Sequence, residues 1–116
     1  MEIPIIAIRL TGPIPSKKNL WKRGTKGLYI PADTQKELEA LLWQFKKYRP
    51  KKPIEKQVTI KMAIYTKTMR QDAGNISETV LDLLQKSGIL KNDRLADDVH
   101  YTRARGVEDV CFIDIS

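Results

Sequence analysis

Asp72, Asn75 and Asp93 are the residues whose types and spacing can do chemistry. Asp72 opens the run Asp72-Ala73-Gly74-Asn75, Asp93 closes Gly88-Ile89-Leu90-Lys91-Asn92-Asp93, and a helix-like amphipathic stretch lies between them. They sit in a basic chain of 116 residues, with 21 Lys and Arg against 14 Asp and Glu and a net charge of +7 at pH 7. Two carboxylates meeting at a helix N-terminus offer the hard oxygen ligands that Mg²⁺ takes while keeping several of its waters. A cation held there activates water and neutralises charge on a scissile phosphate. Asn75 either orients a water of that cation or caps the helix. The plainer readings stay open beside these: Asp72 as an acid that favours the helix dipole, Asp93 as an ordinary turn residue.

The elements that must position these residues follow from the hydropathy pattern. Residues 3–10 are β-branched and mostly apolar, which predicts a strand, and Thr11-Gly12-Pro13-Ile14-Pro15-Ser16 is turn and loop chemistry. Lys17, Lys18, Asn19, Trp21, Lys22, Arg23 and Lys26 follow as a mobile basic loop, then Leu28-Tyr29-Ile30 as a short strand. Thr34 and Glu37 have capping-box spacing, and Leu38, Leu41, Leu42 and Phe45 recur at helical spacing, predicting a helix over 34–49 that ends at Pro50 and Pro53. Val58, Ile60, Met62 and Ile64 alternate with Thr59, Lys61, Ala63 and Tyr65 in a second strand over 57–67. Ile76, Val80, Leu83 and Leu84 line a second helix over 75–87, with Gly88 as its C-terminal cap. Residues 99–105 and 110–115 form a closing pair of strands around Gly106-Val107-Glu108-Asp109. The order predicts an α/β (α+β) fold, a single mixed sheet with two helices packed on it, in one domain over 1–116. The second helix spans about 20 Å at 1.5 Å per residue, and residues 88–93, extended, cover about the same distance. The chain can therefore run back along the helix and bring Asp93 to Asp72.

On these residues the sequence resembles the RusA-type Holliday junction resolvases, small homodimeric endodeoxyribonucleases often encoded by prophages. The family carries Asp-x-Asp-Asn at the opening of a helix, a Lys one turn into it, and a later Asp after a Gly-hydrophobic stretch. Asp72 matches the first Asp, Asn75 the Asn and Asp93 the late Asp, with Ser87-Gly88-Ile89-Leu90-Lys91-Asn92 leading to it. Gly12-Pro13-Ile14-Pro15-Ser16-Lys17-Lys18-Asn19 is similar to the Pro-rich stretch before the family's first loop. Two positions depart: Gly74 stands in place of the second Asp, and Glu78 in place of the helix Lys. Gly74 and Glu78 are four apart, so on a helix they share a face, and Glu78 is the candidate to supply the missing carboxylate. The resemblance implies a Mg²⁺-dependent nuclease (Mn²⁺ as a substitute), a homodimer, and branched double-stranded DNA as substrate. Asp72, Asp93 and Glu78 would be its ligands and Asn75 a support. A junction-binding protein that does not cut, and a general basic nucleic-acid module whose acids are structural, are the alternatives.

Lys17, Lys18, Lys22, Arg23 and Lys26 can neutralise phosphates, with Asn19 beside them, and Trp21 can stack on a base or tuck into the core. Lys67 and Arg70 stand where they would hold phosphates flanking a cut, and Lys46, Lys47, Arg49, Lys51 and Lys52 form a second basic cluster. Asp82 and Lys86 are placed for an i,i+4 surface pair. His100 is the only histidine and Cys111 the only cysteine, which excludes an intrachain disulfide and a zinc cluster and points to a reducing cytoplasm, nucleoid-associated when DNA is bound. Met1-Glu2-Ile3-Pro4 is not a signal peptide, and no apolar run is long enough to span a bilayer.

Overall fold

A computed structural model describes residues 5–17, 20–69 and 71–116. Its strands are β1 (Ile6–Thr11), β2 (Lys22–Gly24), β3 (Gly27–Tyr29), β4 (Val58–Thr66), β5 (Ala96–Arg105) and β6 (Val110–Ile115), and its helices are α1 (Ala32–Lys46) and α2 (Ala73–Lys86). Four strands form one mixed sheet in the order β1-β6-β4-β5, and β2 pairs with β3 in a separate two-stranded sheet. The α+β expectation of two helices on a mixed sheet holds. The small hairpin is an addition to it: Lys22 and Arg23, expected in a loop, lie on a strand paired with Tyr29 and Leu28.

The sheet follows from alternation. Ile8 and Leu10 on β1, Ile60, Met62 and Ile64 on β4, and Cys111, Ile113 and Ile115 on β6 are all buried and face the helices. Leu41 and Phe45 of α1 and Ile76, Val80, Leu83 and Leu84 of α2 close the core over them. The opposite face carries Tyr65 and Phe112 edge to face, with ring centroids 6.2 Å apart.

The closing strands do not pair with each other as expected. β5 runs parallel to β4, and β6 crosses to the other side of β4 to lie antiparallel between β4 and β1. Burial explains the order. β6 alternates fully buried residues and belongs in the middle of the sheet, whereas β5, with Asp97, Asp98, His100 and Arg105 exposed, suits an edge.

The α1 boundary also differs. The helix starts at Ala32 after Pro31, without a side-chain cap, so Thr34 and Glu37 lie inside the first turns rather than forming a capping box. Gln44 of α1 turns to β1 instead: its amide oxygen accepts from the Thr11 backbone N–H and its amide nitrogen donates to the Thr11 carbonyl, both at 2.8 Å.

Candidate functional site

The N-terminus of α2 is built by Asp72. Its carboxylate Oδ1 accepts the Gly74 backbone N–H at 2.7 Å, which makes Asp72 the N-cap and satisfies a donor that the helix leaves free. Asn75 is therefore inside the first turn and does not cap the helix; it is half-buried, and its carbonyl accepts the Thr79 hydroxyl at 3.2 Å. Glu78 is exposed, one turn beyond Gly74.

Gly74 marks a close approach. A Cβ at this position would stand 3.1 Å from Asp72 Oδ1 and 3.2 Å from the Tyr101 hydroxyl. Arg103, two residues further along β5, donates from its guanidinium to the Gln71 carbonyl. Tyr101 and Arg103 are thus the β5 residues at the Asp72 end, and sequence reasoning missed both. The signal was present in the β4–α2–β5 order, since a parallel third element must run back along the helix and deliver its later residues to the helix start.

Asp93 is at the other end. After the Gly88 turn (φ +84°), the Ile89 N–H bonds the Leu84 carbonyl and the Gly88 N–H bonds the Gln85 carbonyl, a Schellman closure of α2. Ile89 and Leu90 then enter the core, pinned by Ile54, whose N–H donates to the Ile89 carbonyl at 2.8 Å and whose carbonyl accepts from Lys91 at 3.0 Å. Asp93 begins a single 3₁₀ turn, Asp93–Leu95, and its backbone N–H donates to Gln85 Oε1 at 3.1 Å. Gln85 lies thirteen residues after Asp72 on α2, about 20 Å along the axis. The expectation that residues 88–93 return along the helix is corrected. Their length allowed it, but two apolar side chains bury locally and β5 makes the return instead.

The donor set of one chain does not fit a shared divalent cation. Asp72 and Asp93 are exposed at opposite ends of α2, and among the described residues no three of His, Cys, Asp and Glu stand close enough to hold a metal ion. His100 is exposed and pairs with Asp98 at 2.9 Å. Burial pushes the Cys111 thiol up to about 12, which keeps it protonated and unreactive in the core.

The basic residues separate into groups. Lys17 pairs with Asp82 of α2 at 3.1 Å, so Asp82 does not pair with Lys86 as its spacing suggested. Lys22, Arg23 and Lys26 are exposed on the β2–β3 hairpin, and Lys67 is exposed after β4, its backbone N–H donating to Asp109 Oδ1 at 3.0 Å. Trp21 is 56% exposed and not tucked into the core. Lys18, Asn19 and Arg70 lie outside the described residues. Lys46, Lys47, Arg49, Lys51 and Lys52 are exposed at the end of α1 and beyond it. Among the described residues no helix is long and apolar enough to cross a membrane.

No curated protein matches the chain. A family model described as Endodeoxyribonuclease RusA matches residues 11–115. The match runs from the end of β1 through β6 and takes in Asp72, Asn75, Glu78 and Asp93 together with the basic hairpin. Across nearly its whole length, then, the chain belongs to the RusA endodeoxyribonuclease family.

Proposed function

We propose that this protein is a structure-selective endodeoxyribonuclease that resolves four-way (Holliday) DNA junctions by Mg²⁺-dependent phosphodiester hydrolysis, in DNA recombination and repair. The observation that carries the reading is the family match over 11–115. The charge distribution supports it: a net charge of +7 gives a polyanion a favourable field, and the exposed Lys22, Arg23, Lys26 and Lys67 supply phosphate contacts. Such contacts read shape and backbone, so binding should weaken steeply with salt.

Asp72, Asp93 and Glu78 are the carboxylates assigned to the cation, with Mn²⁺ as a substitute for Mg²⁺. Bound at a phosphate, that cation would neutralise charge. Because one chain keeps Asp72 and Asp93 at opposite ends of α2, the assignment requires a homodimer in which a second copy completes each site. Two-fold symmetry would then address two opposed strands. Asp72 caps the start of α2, and the N-terminal end of the helix favours negative charge beside it.

A second reading, junction binding without cleavage, is favoured by one observation: Gly74 brings no carboxylate to the helix start. Incubating a labelled four-way junction and a linear duplex with the protein and Mg²⁺, Mn²⁺ or EDTA separates the two. Cutting of the junction in Mg²⁺ that is lost in EDTA supports the nuclease. Selective binding without cutting in either metal supports the second reading. Equal affinity for junction and duplex removes both.

A further inference from the structure

The two helices do not close completely over each other. Between them, with Leu20 and Trp21 at its wall, lies a cavity of about 300 Å³. Leu20, Ile30, Leu38, Leu42 and Leu83 form its apolar lining, and the indole of Trp21 stands at its side, more than half exposed. The rim is charged. Asp82 and Lys17 face each other there as an ion pair, with Glu39 and Lys86 beside them. Lys22 and Arg23 follow Trp21 directly on β2.

We propose that this groove is a pocket for one unstacked nucleobase, with Trp21 as its stacking platform. The assignment deepens the junction reading and rests on it for the DNA partner. Its warrant is the combination of an exposed aromatic face, an apolar slot and cations near it. Base–indole stacking is tolerant of sequence and strong enough to hold a base that has left its pair. Extrusion costs least where a base is already unpaired, and the pairs that flank an open crossing of four arms lack a stacked neighbour on one side. An apolar side chain from a protein partner would fill the slot but make no use of Lys86, Lys22 and Arg23, whereas a nucleotide uses both. Its base occupies the slot, and its flanking phosphates meet Lys17, Lys86, Lys22 and Arg23.

The test uses the full chain and a single-stranded oligonucleotide carrying one 2-aminopurine, a fluorescent base that indole quenches on stacking. Titration should quench the wild-type complex. Trp21→Ala should abolish the quenching and weaken binding about tenfold, and Leu38→Phe, which narrows the slot without adding an indole, should reduce both. Trp43→Ala, which removes the other tryptophan from an exposed position outside the groove, should behave as wild type. Melting curves establish that each variant is folded. Quenching that survives in Trp21→Ala, or that is lost in Trp43→Ala instead, overturns the pocket whether or not the protein prefers junctions. Quenching lost with Trp21→Ala in a protein that binds junction and duplex equally supports the pocket and overturns the junction reading alone.

Discussion

At the scale of single residues, Asp72 has two separable roles. Its carboxylate caps α2 through the Gly74 N–H, and it is the first acid proposed as a metal ligand. Asparagine caps a helix about as well as aspartate but carries no charge for a cation. Asp72→Asn should therefore melt within about 0.5 kcal/mol of wild type and lose junction cutting, whereas Asp72→Ala should lose cutting and about 1 kcal/mol of stability as well. Retained cutting in the folded Asn variant would contradict the ligand role. Glu78, exposed on the same helix, is the proposed replacement for the acid that Gly74 does not provide. Glu78→Ala should abolish Mg²⁺-dependent cutting with stability changed by less than about 0.5 kcal/mol, and unchanged cutting would refute the compensation. Glu37 gives a pH prediction. Burial first, then the charges of Asp33 and Asp109, raise its carboxyl above the ordinary 4.5. A raised folded-state value means that the protonated form contributes stability below 4.5, and that the contribution is lost as pH rises through the folded value. Glu37→Gln should thus raise the Tm at neutral pH, and the gain should vanish on acidification below 4.5. A gain equal at both pH values would show that the carboxylate's charge is not its cause.

At the scale of elements, the two edges of the sheet are treated differently. The β1 edge is answered by Gln44, whose amide satisfies both backbone groups of Thr11, while β5 presents a long strand with no further strand beyond it among the described residues. Gln44→Ala should cost about 1–2 kcal/mol in denaturant unfolding, the net of two hydrogen bonds. A loss no larger than a few tenths would show that water replaces the amide freely. The elements were legible in the sequence to different degrees. The alternation from Val58 to Ile64 and the spacing of Ile76, Val80, Leu83 and Leu84 place β4 and α2 because a single buried face dictates each pattern. The pairing of β5 and β6 was not legible, because four intervening residues with a glycine look like a hairpin. The choice was made by which strand must bury a face fully, a tertiary matter. The same holds at the site. Asp72 could be found by its place before the helix, but the position of Asp93 depended on whether Ile89 and Leu90 would bury at once or extend. Tyr101 and Arg103 follow from reading β4–α2–β5 as a parallel crossover, a signal that the hairpin reading of residues 106–109 hid.

At the scale of the whole molecule, a small basic domain holds its family acids apart. The distance is set by α2, a rigid spacer between an N-cap and a Schellman turn, so no side-chain rotation brings Asp72 and Asp93 together in one chain. The proposed symmetric pair of chains would use both ends of the helix twice and would suit a substrate with two equivalent strands. Mapping the cuts on a four-way junction, each strand labelled in turn, in Mg²⁺ and beside Asp72→Asn, tests this most directly. The account predicts paired nicks at equivalent positions on two opposed strands, made by the wild type and absent from the variant. Junctions left intact by the folded wild type, or cuts scattered along the arms and equally abundant with Asp72→Asn, would contradict it.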